Sequence, residues 1–283
     1  MLASSGEDLI IQYYDECQVD YQIVWHLNSH LCMHYGYWDE TTPNLRSALV
    51  RMNEQVAFLG EIKKGEYILD AGCGVGGSSI YLAKTFGCQV EGITLSQLQV
   101  DFATKRAMEA GLDCQVHFRV ADYTKTHFPD ESFDVVWAIE SVCHAKNKYS
   151  FLKEAYRILK KGGRLIVADF FSNAAEERHN NSILLKKWAD SWAVAEFASH
   201  SWFKEMTLEN QFNLIHSIDI TKHIQPSAKR LYYCFIPGII CDGVLRMFGN
   251  RTARHKANVW STWYQYKSLK AGLWSYHIVK AVK

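Results

Sequence analysis

The sequence predicts an α/β protein, a largely parallel sheet with helices on both faces and helical segments before and after it. Three observations predict it. From about Glu61 onward, short apolar runs alternate with helical stretches, the pattern of strands joined by crossover helices. One run, Phe133–Ile139 (FDVVWAI), is almost continuously apolar, as a strand covered on both faces should be. A glycine-rich turn, Gly72–Gly77, joins a strand to a helix, where sheets of this kind meet their ligands.

The elements follow in order. Tyr67–Ala71 reads as the first strand, and a helix over Ser78–Phe86 starts with small polar residues. Gln89–Ile93 is the second strand. A helix from about Ser96 to Ala110 has a serine at its start and stops at Gly111, a good termination signal. Val116–Val120 and Phe133–Ile139 are strands three and four. Phe151–Leu159 is a helix ended by Lys160-Lys161-Gly162-Gly163, and Arg164–Asp169 is strand five. Past Asp169 the rhythm changes. Residues 176–211 look helical, with Trp188, Trp192, Val194 and Phe197 at apolar spacing. Asn213–Ile220 is a sixth strand, 226–270 a helical stretch rich in aromatic and basic residues, and Tyr276–Val279 closes the sheet. The expected division is a helical cap over 1–60, a ligand-binding core over 61–171, and a lid over 172–283 that carries the last two strands, all in one integrated domain.

Glycines 72, 74 and 77 satisfy G-x-G-x-x-G between strand and helix, which alone describes a dinucleotide site equally well. Asp70, two residues earlier, separates the readings. A carboxylate there would repel an anionic pyrophosphate. It favours the cationic amine and sulfonium of S-adenosylmethionine. A dinucleotide enzyme would also end its second strand in an acid about 20 residues on. Glu91 has that spacing but lies inside the strand. Asp122 ends the third strand, placed to accept from an adenine amino group, or else to cap a turn.

The segments YILDAGCGVGGSSIYLA, VEGITLSQLQ, VADY, FDVVWAIESVCHA and LKKGGRLIVADF resemble the motifs of class I S-adenosylmethionine-dependent methyltransferases in their usual order. Within that class GCGVGG and ESVCHA resemble the sterol C-methyltransferases and the tocopherol methyltransferases. YYDECQVDYQIVWHLNSHLCMHYGYW is similar to the tocopherol-type leader, and GITLSQLQ to the matching segment of cyclopropane fatty acid synthases. The resemblance covers about residues 10–170. It implies a Rossmann-like seven-stranded methyltransferase sheet with S-adenosyl-L-methionine as cofactor. It further implies that Gly72, Gly74 and Gly76 line the methionine portion, that Asp70 anchors its amine, that Thr94 and Gln99 hold the ribose, and that Asp122 and the Tyr123 backbone hold the adenine. Strand two lacks the terminal acid common in the class, which leaves the ribose to Thr94 and Gln99.

Methyl transfer is an in-line displacement in which positioning supplies most of the catalysis. An alkene acceptor leaves a carbocation to be stabilised and deprotonated, whereas a phenol or enol needs a general base. Glu140, at the end of strand four, is the first candidate for base or cation stabiliser, with a lid hydrogen bond as its structural alternative. His144 is a second base or a structural residue. Tyr13, Tyr14, Tyr35, Tyr37 and Trp38 form an N-terminal aromatic group. Rings at helical spacing are more often core, but the resemblance brings Tyr14 and Tyr35 forward as donor-closing residues. Trp188, Trp192, Phe197, Trp202 and Phe203 could wall an apolar acceptor pocket or pack the lid. Lys229, Arg230, Arg246, Arg251 and Arg254 suit either a diphosphate or a solvated face.

Composition narrows the partners. The 31 basic and 30 acidic residues nearly cancel, so no whole-protein field draws in nucleic acid. Eight cysteines form neither a C-x-x-C pair nor a zinc pattern, and no metal is expected. The N-terminus lacks a basic region followed by an apolar stretch, and no run of about 18 apolar residues suggests a membrane span. A cytoplasmic enzyme with reduced thiols is expected, peripheral membrane contact staying open. The expected function is methyl transfer to a small lipophilic acceptor, with C-methylation of an isoprenoid, sterol-like or prenylated aromatic molecule favoured. O- or N-methylation of a small natural product is the alternative, and a Rossmann dehydrogenase stands behind both. Oligomeric state is not legible.

Overall fold

The computed structural model describes residues 6–25, 27, 31–173, 183–249 and 251–283. Seven strands form one sheet in the order β3-β2-β1-β4-β5-β7-β6. They are β1 (Tyr67–Ala71), β2 (Gln89–Thr94), β3 (Val116–Val120), β4 (Phe133–Ile139), β5 (Leu159–Ser172), β6 (Ile215–Asp219) and β7 (Trp274–Val282). The first five are parallel, while β7 is antiparallel to both β5 and β6. Strand β4 at the centre packs into apolar clusters on both faces and buries Trp137 completely, as parallel strands sandwiched by helices must.

The helices are α1 (Gly6–Val24), α2 (Leu45–Leu59), α3 (Gly77–Phe86), α4 (Gln97–Glu109), α5 (Lys148–Ile158), α6 (Ile183–Ser191), α7 (His200–Glu209), α8 (Thr221–Tyr233), α9 (Phe235–Met247) and α10 (Ala253–Lys270). Local chemistry sets their ends. Ser96 caps α4 by accepting from the Gln99 amide, and Asn147 caps α5 by accepting from Ser150, each satisfying an amide the first turn leaves free.

Three expected stretches differ from the observed elements. Strand β5 starts at Leu159 and runs to Ser172, because a register shift beside Phe133 and Val135 absorbs the Lys160–Gly163 segment into the ladder. The helical stretch expected over 176–211 is two helices separated at 192–199, where Ala193 takes a left-handed φ of 53°; its first part falls outside the described residues. The expected helical cap holds α1 and α2, but residues 31–44 between them form no helix.

Two apolar clusters flank the sheet. One joins β1, β4 and β5 to α1, α2, α6 and α8, and the other packs β4 and β5 on α5 and α7. Among the described residues no helix is long and apolar enough to cross a membrane.

Candidate active site

The carboxyl ends of β1, β2 and β4 open into one cavity, lined by Asp70, Gly72, Gly74, Gly77, Thr94 and Gln99 on one side and by Tyr14, Met33, Ile139, Glu140 and His144 on the other. The turn after β1 is shaped by close approaches. A Cβ on Gly72, whose φ is 88°, would lie 2.4 Å from the Ser141 Cβ. One on Gly77 would lie 1.9 Å from the Leu31 carbonyl oxygen. The turn is therefore pressed between the β4 end and the 31–34 segment, with no room for side chains.

Asp70 is 2% exposed. Its Oδ2 accepts from the Ser79 hydroxyl at 2.6 Å, yet burial pushes its pKa up to about 7. A buried carboxyl with no cation paired to it among the described residues is an electrostatic socket for one. The Thr94 hydroxyl donates to Gln99 Oε1 at 2.6 Å, leaving a polar pair in the same cavity wall. These are the features the methionine and ribose portions of S-adenosylmethionine call for: a carboxyl for a cation, a side-chain-free cradle and buried polar groups.

Glu140 sits at a left-handed φ of 49°, strained for a non-glycine residue. The strain is held by its contacts: Oε1 accepts from the Tyr35 amide at 2.7 Å and from the Tyr276 hydroxyl at 2.9 Å. Burial raises its pKa well above the ordinary carboxylate value, with Asp169 adding to the shift. One turn on, burial lowers the His144 pKa to about 4, so its imidazole is neutral at physiological pH. Its Nε2 lies 2.9 Å from the Tyr14 hydroxyl. A short helical turn, Val142–His144, carries it there.

Beyond this cavity lies a larger cleft, which shares Ile10, Leu95, Tyr123 and His144 with it and continues past Asp122, Lys148, Phe197 and Trp202. The Asp122 carboxylate accepts from the Thr124 amide at 2.7 Å and hydroxyl at 2.6 Å. It thus fastens a turn while lining the larger cleft, and Ala121 and Tyr123 line the smaller cavity.

Two expected donor contacts are corrected. Gly76 is not among the residues that line the cavity; a Cβ there would meet Phe118 and Ala103, so its φ of 84° serves the packing of the turn on β3 and α4. The Tyr35 ring is fully buried, stacks on Trp274 and donates through its hydroxyl to Gln265 Oε1 at 2.7 Å. Only its backbone amide reaches the site, through Glu140.

The aromatic residues considered for an acceptor wall divide. Trp188 and Phe197 stack with ring centroids 4.5 Å apart beside Phe170, and Phe203 packs on Phe171. Trp192 instead stands 6.3 Å from His144. Arg251 and Arg254 pair with Asp20 and Glu16 of α1, and Arg246 with Asp242. Arg230 bonds the Val24 carbonyl. These basic residues considered for a diphosphate thus hold the helices together: Arg251 joins the loop before α10 to α1 and α9, Arg254 joins α10 to α1, Arg230 joins α8 to the end of α1, and Arg246 joins α9 to Thr252. Glu91 is ion-paired to Arg119 at 2.6 Å within the sheet, not at a strand end where a dinucleotide ribose would need it.

The sequence missed Ser96 and Asp15. The Ser96 hydroxyl donates to Asp15 Oδ1 at 2.6 Å, joining α1 to the end of β2. Nothing local marks a pair 81 residues apart, and Ser96 reads as a cap alone.

Residues 69–167 match the family model described as a methyltransferase domain. The chain is 39% identical over 138 residues to the 27-O-demethylrifamycin SV methyltransferase of Amycolatopsis mediterranei, covering 49% of this chain and about half (51%) of that one. It is 34% identical to the O-methyltransferase cnsE of Penicillium expansum, covering 70% of this chain and 71% of that one. It is also 34% identical to the 2-methyl-6-phytyl-1,4-hydroquinone methyltransferase of Synechocystis, covering 71% and 64%. Among solved structures, the cyclase SpnF superposes with a TM-score of 0.79 at 23% identity over 100% of this chain and 97% of that one. Geranyl diphosphate C-methyltransferase from Streptomyces coelicolor superposes at 0.74 with 22% identity, over 100% and 99%. Those likenesses concern the fold. With the Asp70 cradle and the relatives of matching extent, they lead to one conclusion: the chain belongs to the class I S-adenosylmethionine-dependent methyltransferases.

Proposed function

We propose that the chain methylates a small lipophilic acceptor that loses a proton in the reaction, with the ring carbon of a prenylated aromatic favoured. One observation carries this reading. A neutral imidazole, His144, bonded to the Tyr14 hydroxyl, stands with Glu140 where the donor cavity meets the larger cleft. In this reading residues 1–60 act as cap, 61–171 as donor-binding core and 172–283 as acceptor lid.

Bound S-adenosylmethionine supplies a methyl group already activated by its sulfonium. Asp70 takes the cationic amine, Gly72 and Gly74 admit the donor backbone, and Thr94 with Gln99 takes the ribose. Ala121, Asp122 and Tyr123 border the adenine. Tyr14 borders the donor, and its hydroxyl orients His144. Glu140 faces the reacting centre, where a carboxyl stabilises positive charge developing on an attacked ring, and the neutral His144 can accept the departing proton. The rings of Phe197 and Trp202, which line the larger cleft, offer an apolar wall for a prenyl chain. Similarity to a phytyl-hydroquinone methyltransferase supports a prenylated aromatic.

A second reading, transfer to a hydroxyl oxygen, is favoured by the same neutral imidazole, since a phenol needs a base and little else. Incubation with methyl-labelled donor and prenylated hydroquinones, followed by NMR of the product, separates the two. A new ring-methyl signal supports carbon, a methoxy signal supports oxygen, and absence of transfer to any lipophilic phenol sinks both.

A further inference from the structure

Helix α9 contributes no residue to the lining of either cavity. In α9, Ile236, Ile240, Met247 and Phe248 at its end are 62%, 63%, 81% and 70% exposed. With Val244, and with Tyr233 at the end of α8, they recur at three- and four-residue spacing, forming one continuous stripe. Scattered exposed apolar residues are ordinary, whereas a contiguous stripe marks a surface that meets something apolar.

The charges around the stripe point to what that is. Residues 221–270 contain nine lysines and arginines and a single acid, Asp242. Asp242 is buried and paired with Arg246 and Arg251, so the outward charge of α8, α9 and α10 is wholly positive. Lys222, Lys229, Lys256 and Lys270 are exposed. Lys229 lies over the Tyr233 ring, and Lys267 over Tyr232 and Trp263. An apolar stripe bordered by tyrosine, tryptophan and lysine is the composition of a helix that lies in a membrane interface. At 13 residues α9 falls short of the roughly 20 needed to span. A second copy of this chain would bring the same positive rim against itself, whereas anionic headgroups complement it.

We propose that α9 and the lysine-bearing rim of α8 and α10 form a docking surface for an anionic lipid bilayer, with α9 lying in the headgroup plane. The assignment rests on surface chemistry alone and is independent of which acceptor the active site takes.

The test is vesicle co-flotation of the whole chain with phosphatidylcholine alone and with mixed phosphatidylcholine and phosphatidylserine, melting curves serving as the fold check. The chain is expected to float with the mixed vesicles and far less with phosphatidylcholine. Ile236→Asp with Ile240→Asp, both at exposed positions, is expected to lower partitioning about a hundredfold, roughly tenfold for each side chain kept out of the apolar layer. Lys229→Gln is expected to lower it about fivefold on mixed vesicles only. Equal flotation on both lipids, or flotation unchanged by the double substitution, would overturn the proposal. So would an absence of flotation, and a dimer split by the same substitutions would then identify a second copy as the occupant.

Discussion

Asp70 and His144 line the same cavity, yet the chain reaches them by different means. Asp70 is delivered by a five-residue strand and fixed by Ser79, nine positions away in sequence. His144 takes its orientation from Tyr14, 130 positions away. Tyr14 in turn depends on α1 being tied down from elsewhere. Ser96 holds Asp15, and Arg251, Arg254 and Asn258 hold Asp20 and Glu16. The donor side is thus a local construction on the sheet, and the acceptor side is assembled across the whole length of the chain. A local construction tolerates variation elsewhere, while a distributed one makes the placement of His144 depend on the contacts that fasten α1.

The largest expected effect separates the two sides. His144→Ala is expected to lower turnover by about a hundredfold to ten-thousandfold, the range for losing a general base. Its affinity for S-adenosylhomocysteine should stay within about threefold of the parent. Steady-state kinetics and calorimetry check both. Equal losses in the two would make His144 a donor-binding residue and erase the distinction.

The sequence showed one side far better than the other, for the same reason. YILDA, the glycine turn and FDVVWAI are contiguous signals, and β1, β4 and α3 stand within a residue of where they were expected. Asp70, Gly72, Gly74, Thr94 and Gln99 all line the cavity. Gly76 misled because a left-handed turn residue looks alike whether its open side faces a ligand or, as here, Phe118. Tyr35 misled because a buried ring and a ring closing a pocket share one sequence pattern. The ion pairs that fasten α1 were invisible, since nothing near Glu16 or Asp20 indicates an arginine more than 200 residues on. Those arginines instead invited a diphosphate.

The fastening of α1 can be broken directly. Arg251→Ala removes a buried guanidinium from Asp20 and Asp242 and is expected to cost about 3 kcal/mol, read by urea unfolding. Amide hydrogen exchange should quicken most in α1. Uniform quickening across the sheet would show that α1 is not held separately.

On the donor side, Asp70→Asn keeps the shape and removes the charge. A charged hydrogen bond is worth about 1.5–3 kcal/mol, so S-adenosylmethionine affinity should fall about tenfold to a hundredfold, with the melting temperature of the ligand-free protein unchanged or raised. The stability sign follows from burial. The folded pKa of about 7 lies above the unfolded value of about 3.9. The contribution of this group is therefore fully present below the unfolded pKa and lost as pH rises through 7. Burying the ionised carboxylate thus costs stability at alkaline pH, and the asparagine variant should gain there.

The smallest effect is the pH dependence of donor binding. The free protein holds Asp70 largely protonated below pH 7, and a cationic donor favours the carboxylate. Affinity should therefore weaken as pH falls below about 7, by at most about tenfold per unit. Asp70→Asn should flatten that slope.

The most direct measurement is calorimetric titration of S-adenosylhomocysteine into Asp70→Asn and His144→Ala side by side at neutral pH. A donor site built locally on the sheet predicts weakened binding in the first and near-parent binding in the second. Near-parent binding in Asp70→Asn with loss in His144→Ala would contradict it, and would place the donor's anchor on the α1 side of the cavity.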